Sequence, residues 1–260
     1  MSTADEKLGE GPSGQVAADP RLRRLEMLFY VVGSSKCGTT WVNRYFQSHP
    51  ETHIPTVREI NYWNSLEPDA RAERLSHQQM ELANFDRTSW WKRYVRRAKA
   101  RRLMLAFERM YSTPDPSHRH YADVLFSGAR APKVIGDVSP GYTSVSQDTY
   151  REMSRVGGQT RFVLLMRDPV DRLHSACRHR LRKSKEGLAV TEENVLNLVD
   201  RHLERGALGR SMAYHETLSI LEQAVPSKDI LPLFYETLFT EETIRRLCDF
   251  IGVGYHEGDF

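Results

Sequence analysis

The chain has 260 residues, 40% of them apolar and 27% charged, with a mean hydropathy of −0.56. That composition suits a soluble globular protein able to bury a real core, and it excludes disordered and fibrous classes. The formal charge is only +3, yet Lys92 to Arg102 holds seven basic residues and Arg178 to Lys185 holds five, neither with an acid; these segments carry +12 and the remainder −9.

Clustered positive charge points to an anionic partner for at least one segment. No apolar run approaches the roughly 18 residues of a membrane span. The N-terminus lacks the apolar core of a signal peptide. Cys37, Cys177 and Cys248 are widely spaced and odd in number, so they read as reduced thiols of a cytoplasmic protein.

Residues 1–24 are polar and rich in Gly, Pro, Ala and Ser, and read as a flexible tail before one domain over 25–260. Glu26 to Gly33 (EMLFYVVG) predicts a buried strand, and Thr39 to Ser48 a helix that Pro50 closes. Helical patterns follow at Trp90 to Met110, Val170 to Lys183, Glu192 to Arg205, Met212 to Ala224 and Glu241 to Ile251. Further strands are predicted at Lys133 to Gly136, Arg161 to Met166 and Ile230 to Tyr235, where Pro232 argues for an edge position. Strands alternating with helices predict a single α/β domain, a parallel sheet flanked by helices with a P-loop-like turn after its first strand.

That turn is Gly33-Ser34-Ser35-Lys36-Cys37-Gly38-Thr39-Thr40. A glycine-rich turn feeding a helix N-terminus offers converging N–H groups and the positive end of the helix dipole to an anion. Gly33 and Gly38 have the spacing of the nucleotide loop G-x-x-x-x-G-K-[ST], but Thr39 stands in the lysine's place and the lysine comes early, at Lys36. Of the strand ends, only Asp137 offers an acid that could hold Mg²⁺, so a phosphate loop is expected without ATP hydrolysis.

Lys36-Cys37-Gly38-Thr39-Thr40-Trp41 resembles the K-x-G-T-T-W phosphosulfate loop of the sulfotransferases, which use 3′-phosphoadenosine 5′-phosphosulfate (PAPS) as donor. The resemblance implies that Ser35, Lys36, Cys37, Gly38, Thr39 and Thr40 surround the 5′-phosphosulfate. A second block, RFVLLMRDPVDRLHSAC from Arg161 to Cys177, is similar to the family's 3′-phosphate motif, with Arg167 at a strand end and Ser175 eight residues on. An arginine there has the place and the donor geometry for a phosphate. Asp168 and Arg172 read as partners that hold the motif's shape. Gly209 to Tyr214 resembles a serine-tyrosine segment near the donor, which adds Ser211 and Tyr214 as donor-binding candidates.

Sulfuryl transfer needs a base for the acceptor's proton and a cation at the leaving phosphate oxygen. Lys36 suits the second role. For the first, Glu59 lies in Arg58-Glu59-Ile60-Asn61-Tyr62-Trp63, which resembles the base-bearing segment of the glycan and heparan-type branch, bacterial-like in form. His53, in Thr52-His53-Ile54-Pro55, resembles the base of the small-molecule branch but follows only 13 residues after Thr40. Gly136-Asp137-Val138-Ser139-Pro140-Gly141-Tyr142 resembles the E-K-T-P-x-Y segment of the heparan-type enzymes, with Val138 in place of its lysine; Asp137 is then a candidate to orient the acceptor. The resemblance runs from Leu28 to Val253, and since the chain stops at Phe260 a nucleotide-closing basic loop is expected to be shortened, missing or supplied elsewhere.

The basic segment at 92–102 is read as a solvated helix face or as contact with an acidic acceptor, with nucleic acid disfavoured because no recognised motif accompanies it. The segment at 178–185 directly follows Ser175 and is expected to face the donor. Cys37 sits where a helix N-terminus can lower a thiol's pKa. No metal site is expected, since His118-Arg119-His120 offers two ligands without a third. These features together predict transfer of a sulfuryl group from PAPS, without a metal, to a hydroxyl or amine of a small molecule or glycan. The alternatives are a P-loop-type small-molecule kinase and a non-catalytic nucleotide-binding module. Acceptor identity and oligomeric state are not predicted.

Overall fold

A computed structural model describes residues 17–56, 59–66, 68–88, 94–183, 189–204 and 213–257. Ser211, residues 1–16 of the expected tail, Lys92, Arg93, Lys185 and Phe260 lie outside the described residues.

Five parallel strands form one sheet: β1 (Met27–Gly33), β2 (Thr52–His53), β3 (Val134–Val138), β4 (Thr160–Met166) and β5 (Ile230–Phe234), in the order β2-β3-β1-β4-β5. The four predicted strands are all present. β5 stands at an edge, as the missing N–H of Pro232 requires. β1 is central, and every one of its residues is buried. That explains its unbroken apolar run, since a parallel strand covered on both faces has no polar side to alternate with.

Helices cover both faces. On one side Leu28, Tyr30 and Val32 of β1 join Phe162 and Leu164 of β4 in a large core. It packs against α4 (Tyr94–Ser112), α5 (Arg119–Leu125), α6 (Gln147–Met153) and α9 (Tyr214–Ala224). On the other side Phe29 and Val31 pack against α2 (Thr39–Ser48) and α10 (Glu241–Ile251). Outside these layers, α3 (Pro68–Thr88) pairs with α4, and α7 (Pro169–Lys183) with α8 (Glu192–Glu204).

The stretch read as a tail is folded from residue 17 onward. Asp19 caps the single turn α1 (Pro20–Arg23) by accepting from Arg21 N–H at 2.8 Å, and Leu22 is fully buried. Arg21 also pairs with Asp123 of α5 at 2.8 Å, which ties the turn to the domain.

Candidate active site

The chain leaves the carboxyl ends of the central strands into the loops that carry the predicted residues. β1 has β3 on one side and β4 on the other, and the chain crosses over β1 between them. Ligands of open α/β sheets bind at such a switch point. The loop after β1 turns at Ser34–Cys37, where Cys37 N–H donates to the Ser34 carbonyl at 3.2 Å. Gly38 then enters α2 in the left-handed region, φ 92°, with no side chain capping the helix. Trp41 N–H already donates to the Gly38 carbonyl at 2.9 Å, while the Thr39 and Thr40 N–H groups at the helix start stay open for an anion.

Arg172 of α7 grips this loop from behind. It is 4% exposed, donates from Nε to the Ser35 carbonyl at 2.8 Å and from Nη2 to Ser35 Oγ at 3.3 Å. Its Nη1 has no hydrogen-bond partner among the described residues. Asp168 caps α7, accepting from Val170 and Asp171 N–H at 2.9 and 3.0 Å. Both residues thus hold the motif's shape.

Arg167 follows β4 directly and lies beside the loop: Nη1 donates to the Lys36 carbonyl at 3.5 Å. Its guanidinium stacks over Tyr235 at 4.2 Å and stands 3.6 Å from Asp171, while Nε has no partner among the described residues. Ser175 is half-buried on the second turn of α7, one turn before His179. Farther along α7, Arg182 and Lys183 reach the loop electrostatically. Burial, then Lys183, push the Lys36 ammonium below the usual lysine range; Arg182 adds to this, and Glu59 opposes it. Burial and the charges of Lys36, Lys183 and Arg182 likewise depress His179. Arg182 and Lys183 of the second basic segment thus lie near enough to Lys36 to act on its charge.

Two predicted donor contacts lie behind the loop. The Cys37 thiol is fully buried, 3.6 Å from the Tyr214 hydroxyl. Burial raises its pKa, and the nearby Tyr214, Arg172 and Arg167 offset this only in part. Desolvation thus outweighs the lowering that a helix N-terminus can give, and Cys37 is an ordinary buried thiol of the loop. Tyr214 accepts from Arg167 N–H at 3.3 Å, so it braces the two loops against each other.

Glu59 is exposed and shares a small cavity with Thr39, Thr40, Asn43, Val138 and Pro140. It therefore stands beside the loop, on the β3 flank. Asn43, 3% exposed, has its Oδ1 without a partner among the described residues. On its other side Glu59 opens onto a cleft of about 670 Å³ between α3 and α4, lined by Arg74, His77, Met104, Phe107 and Tyr111 among others. Its volume and mixed lining suit a small organic ligand.

The Glu59 backbone is unusual. Glu59 and Asn61 both adopt left-handed φ, 56° and 51°, at a cost of about 1–2 kcal/mol for each non-glycine residue. Three hydrogen bonds hold them there: Tyr111 OH to the Ile60 carbonyl at 2.6 Å, Asn61 N–H to Ser139 Oγ at 3.1 Å, and Asn61 Nδ2 to the Glu59 carbonyl at 2.9 Å.

His53 lies elsewhere. It pairs with Ile135, which pairs with Leu28, near the start of β1. The five steps from Leu28 to Gly33 span about 16 Å at about 3.3 Å each. His53 also lines a cavity with Glu26 and Lys133 at the strands' amino ends, away from the loop.

Asp137 does not face an acceptor. It is fully buried, and its two oxygens accept from Ser139 Oγ, Tyr121 OH and Tyr142 OH at 2.6, 2.8 and 2.7 Å. Neither oxygen is left to orient a substrate or to hold Mg²⁺ at the loop. Sequence reasoning missed this hydroxyl cluster, and also Asn43, Tyr111 and Tyr235; an aspartate one residue from the end of an apolar strand was the available signal of burial.

The sequence model of the Sulfotransferase family matches residues 29–257. The chain belongs to the sulfotransferase family. Solved sulfotransferases share its fold. One from Alicyclobacillus acidocaldarius aligns at 20% identity and TM-score 0.56, over 87% of this chain and 81% of its own. The sulfotransferase domain of the curacin biosynthetic pathway aligns at 19% identity and TM-score 0.56, over 92% and 80%. That of the Synechococcus olefin synthase aligns at 18% identity and TM-score 0.52, over 94% and 82%. No curated protein matches the sequence. Among the described residues of this sulfotransferase, no helix is long and apolar enough to cross a membrane.

Proposed function

We propose that this sulfotransferase moves the sulfuryl group of PAPS to a hydroxyl or amine that enters through the α3–α4 cleft. The observation that carries the reading is the meeting of a cationic phosphate loop and a carboxylate at one switch point. The Arg167 guanidinium reaches the Lys36 carbonyl across it, and Glu59 borders Thr39 and Thr40. The residues suit the donor: the uncapped end of α2, the open Nε of Arg167 and the cations of α7 offer hydrogen bonds and positive charge to two separate phosphates. When bound, PAPS supplies an activated sulfuryl group on a good leaving phosphate.

Glu59 takes the proton from the acceptor as it attacks. Lys36 places its ammonium where charge develops on the bridging oxygen. Ser35, Gly38, Thr39 and Thr40 hold the 5′-phosphosulfate through main-chain N–H groups and hydroxyls, with the backbone of Cys37 completing the turn. Arg167 and Ser175 hold the 3′-phosphate, and Tyr214 keeps Arg167 in place. Ser211 belongs to the same proposed donor site by sequence resemblance. The Glu59 segment favours a carbohydrate among possible acceptors, as in the glycan branch it resembles. Three buried, unpaired thiols support a reducing, cytoplasmic setting.

The test is a thermal-stability titration with adenosine 3′,5′-bisphosphate and with ATP–Mg²⁺. A ligand at 100 times its Kd stabilises by about 2.7 kcal/mol. The bisphosphate should raise the melting temperature and ATP–Mg²⁺ should not; the reverse order would favour a kinase, and indifference to both would end the reading. Glu59→Gln should keep bisphosphate binding while transfer falls about 10²–10⁴-fold.

A further inference from the structure

Asp137 is a fully buried carboxylate whose three hydrogen-bond donors are all hydroxyls, those of Ser139, Tyr121 and Tyr142. Among the described residues no lysine, arginine or histidine pairs with it; burial pushes its pKa up and the three hydroxyls offset this in part. An apolar side chain would fill this place in the core at less cost, so the charge calls for a reason.

The reason lies in hydrogen-bond polarity. A serine hydroxyl has one proton. Ser139 gives its proton to Asp137 Oδ1 at 2.6 Å, so its remaining bond, to Asn61 N–H at 3.1 Å, must be one it accepts. The carboxylate thus holds the serine's proton on its own side, away from the Asn61 N–H, and leaves the oxygen's lone pairs to accept that bond. That bond ends on the backbone of the left-handed turn that carries Glu59. Tyr111 secures the same turn from the α4 side through the Ile60 carbonyl, and the Ile60 side chain is anchored in the core at 2% exposure.

We infer that Asp137 and Ser139 are positioning residues for Glu59: the buried carboxylate orients the Ser139 hydroxyl as an acceptor, and that hydroxyl pins the Asn61 N–H and so aims the Glu59 carboxylate at the phosphosulfate loop. The inference rests on the proposed role of Glu59. It also accounts for an acid at 137 beside Val138, where related enzymes carry a lysine: the acid works inward rather than on substrate.

The test compares Ser139→Ala, Ser139→Thr and Asp137→Asn in the full chain. Hydrogen exchange of the Asn61 amide is read by NMR. Release of adenosine 3′,5′-bisphosphate from PAPS is read with 4-nitrophenol as probe acceptor. In Ser139→Ala the Asn61 amide should exchange at least about five-fold faster, as expected for loss of one hydrogen bond. Turnover should fall about ten-fold or more from misplacement of Glu59, with the KM for PAPS unchanged. Ser139→Thr should restore both. Asp137→Asn should resemble Ser139→Ala, because an amide can donate to Ser139 Oγ and free its proton to oppose Asn61. Unchanged Asn61 exchange in Ser139→Ala would overturn the inference, as would a rise in KM that matches the loss of turnover, or failure of threonine to rescue. If Asp137→Asn does not fold, the two Ser139 variants still decide. If the parent protein neither binds adenosine 3′,5′-bisphosphate nor turns over PAPS, the sulfotransfer reading fails, while Asn61 exchange still reports on the hydrogen-bond chain.

Discussion

Replacing Gly38 with alanine should damage the loop in two separable ways. Gly38 has φ 92°, and a Cβ there would lie 2.5 Å from Leu238 Cδ2 and 3.4 Å from Tyr235 Cδ2. The left-handed backbone costs an alanine about 1–2 kcal/mol. The clash adds about 1–3 kcal/mol, since Leu238 is fully buried and cannot swing aside. The total is about 2–5 kcal/mol. Gly252 provides the control: it also has positive φ, 78°, but no atom lies within 4 Å of a Cβ added there. Gly252→Ala should therefore show the conformational cost alone.

Chemical denaturation of both variants measures the difference, and thermal melting checks it. At about 2–4 °C per kcal/mol for a chain of this size, Gly38→Ala should lower Tm by on the order of 10 °C and Gly252→Ala by about 3 °C. A functional consequence follows from Tyr235, which lies under the Arg167 guanidinium. Displacing it moves Arg167, so stabilisation by adenosine 3′,5′-bisphosphate should shrink in Gly38→Ala and persist in Gly252→Ala. Equal losses in the two variants would refute the packing argument. Full bisphosphate stabilisation in Gly38→Ala would refute the link from the loop to Arg167.

Arg172→Lys should cost about 1–3 kcal/mol in denaturant unfolding, because an ammonium cannot reproduce the paired bonds to the Ser35 carbonyl and hydroxyl. Bisphosphate affinity, measured by calorimetry, should fall with it. Lys36 is depressed by burial and then by Lys183, so bisphosphate affinity should decline as pH rises, with a midpoint below 10.5; Lys183→Ala should move that midpoint upward. At Asp19 burial raises the pKa but the Arg21 bonds outweigh it, so the folded value is depressed. Its stabilisation is then present above the unfolded pKa and lost as pH falls below about 3.8. Asp19→Asn should accordingly reduce stability at pH 7, and the difference should shrink as pH falls from 3.8 through the folded pKa.

The parts legible in the sequence were those where one local pattern settles the structure. EMLFYVV followed by Gly-Ser-Ser gives a buried strand that must turn, and Thr39 to Ser48 follows as the helix. Pro232 placed β5 at an edge because it cannot donate to a second neighbour. Elements without such a pattern were missed. β2 has two residues, too few for any period, and exists through its pairing with β3. α3 carries polar side chains at most positions, and Met80 is 59% exposed, so no apolar stripe announces it; it stands against α4. Asp137 was misread because its neighbours in sequence say nothing of Tyr121 and Tyr142, which reach it from separate elements.

The order of the sheet explains why the two halves of the proposed chemistry do not neutralise each other. β1 carries the loop; β4 and α7 bring Arg167, Arg182 and Lys183 to one flank. β3 supports the Glu59 turn on the other flank, through Ser139. A carboxylate placed among the α7 cations would pair with them and weaken both as base and as anion site. Lys36 stands between the flanks and feels each: Glu59 raises its proton affinity, while Lys183 and Arg182 lower it. An ammonium so placed can answer charge on the donor side without leaving reach of the base side. On the proposed reading, that is the position a leaving-group cation needs, and it follows from strand order before any ligand binds.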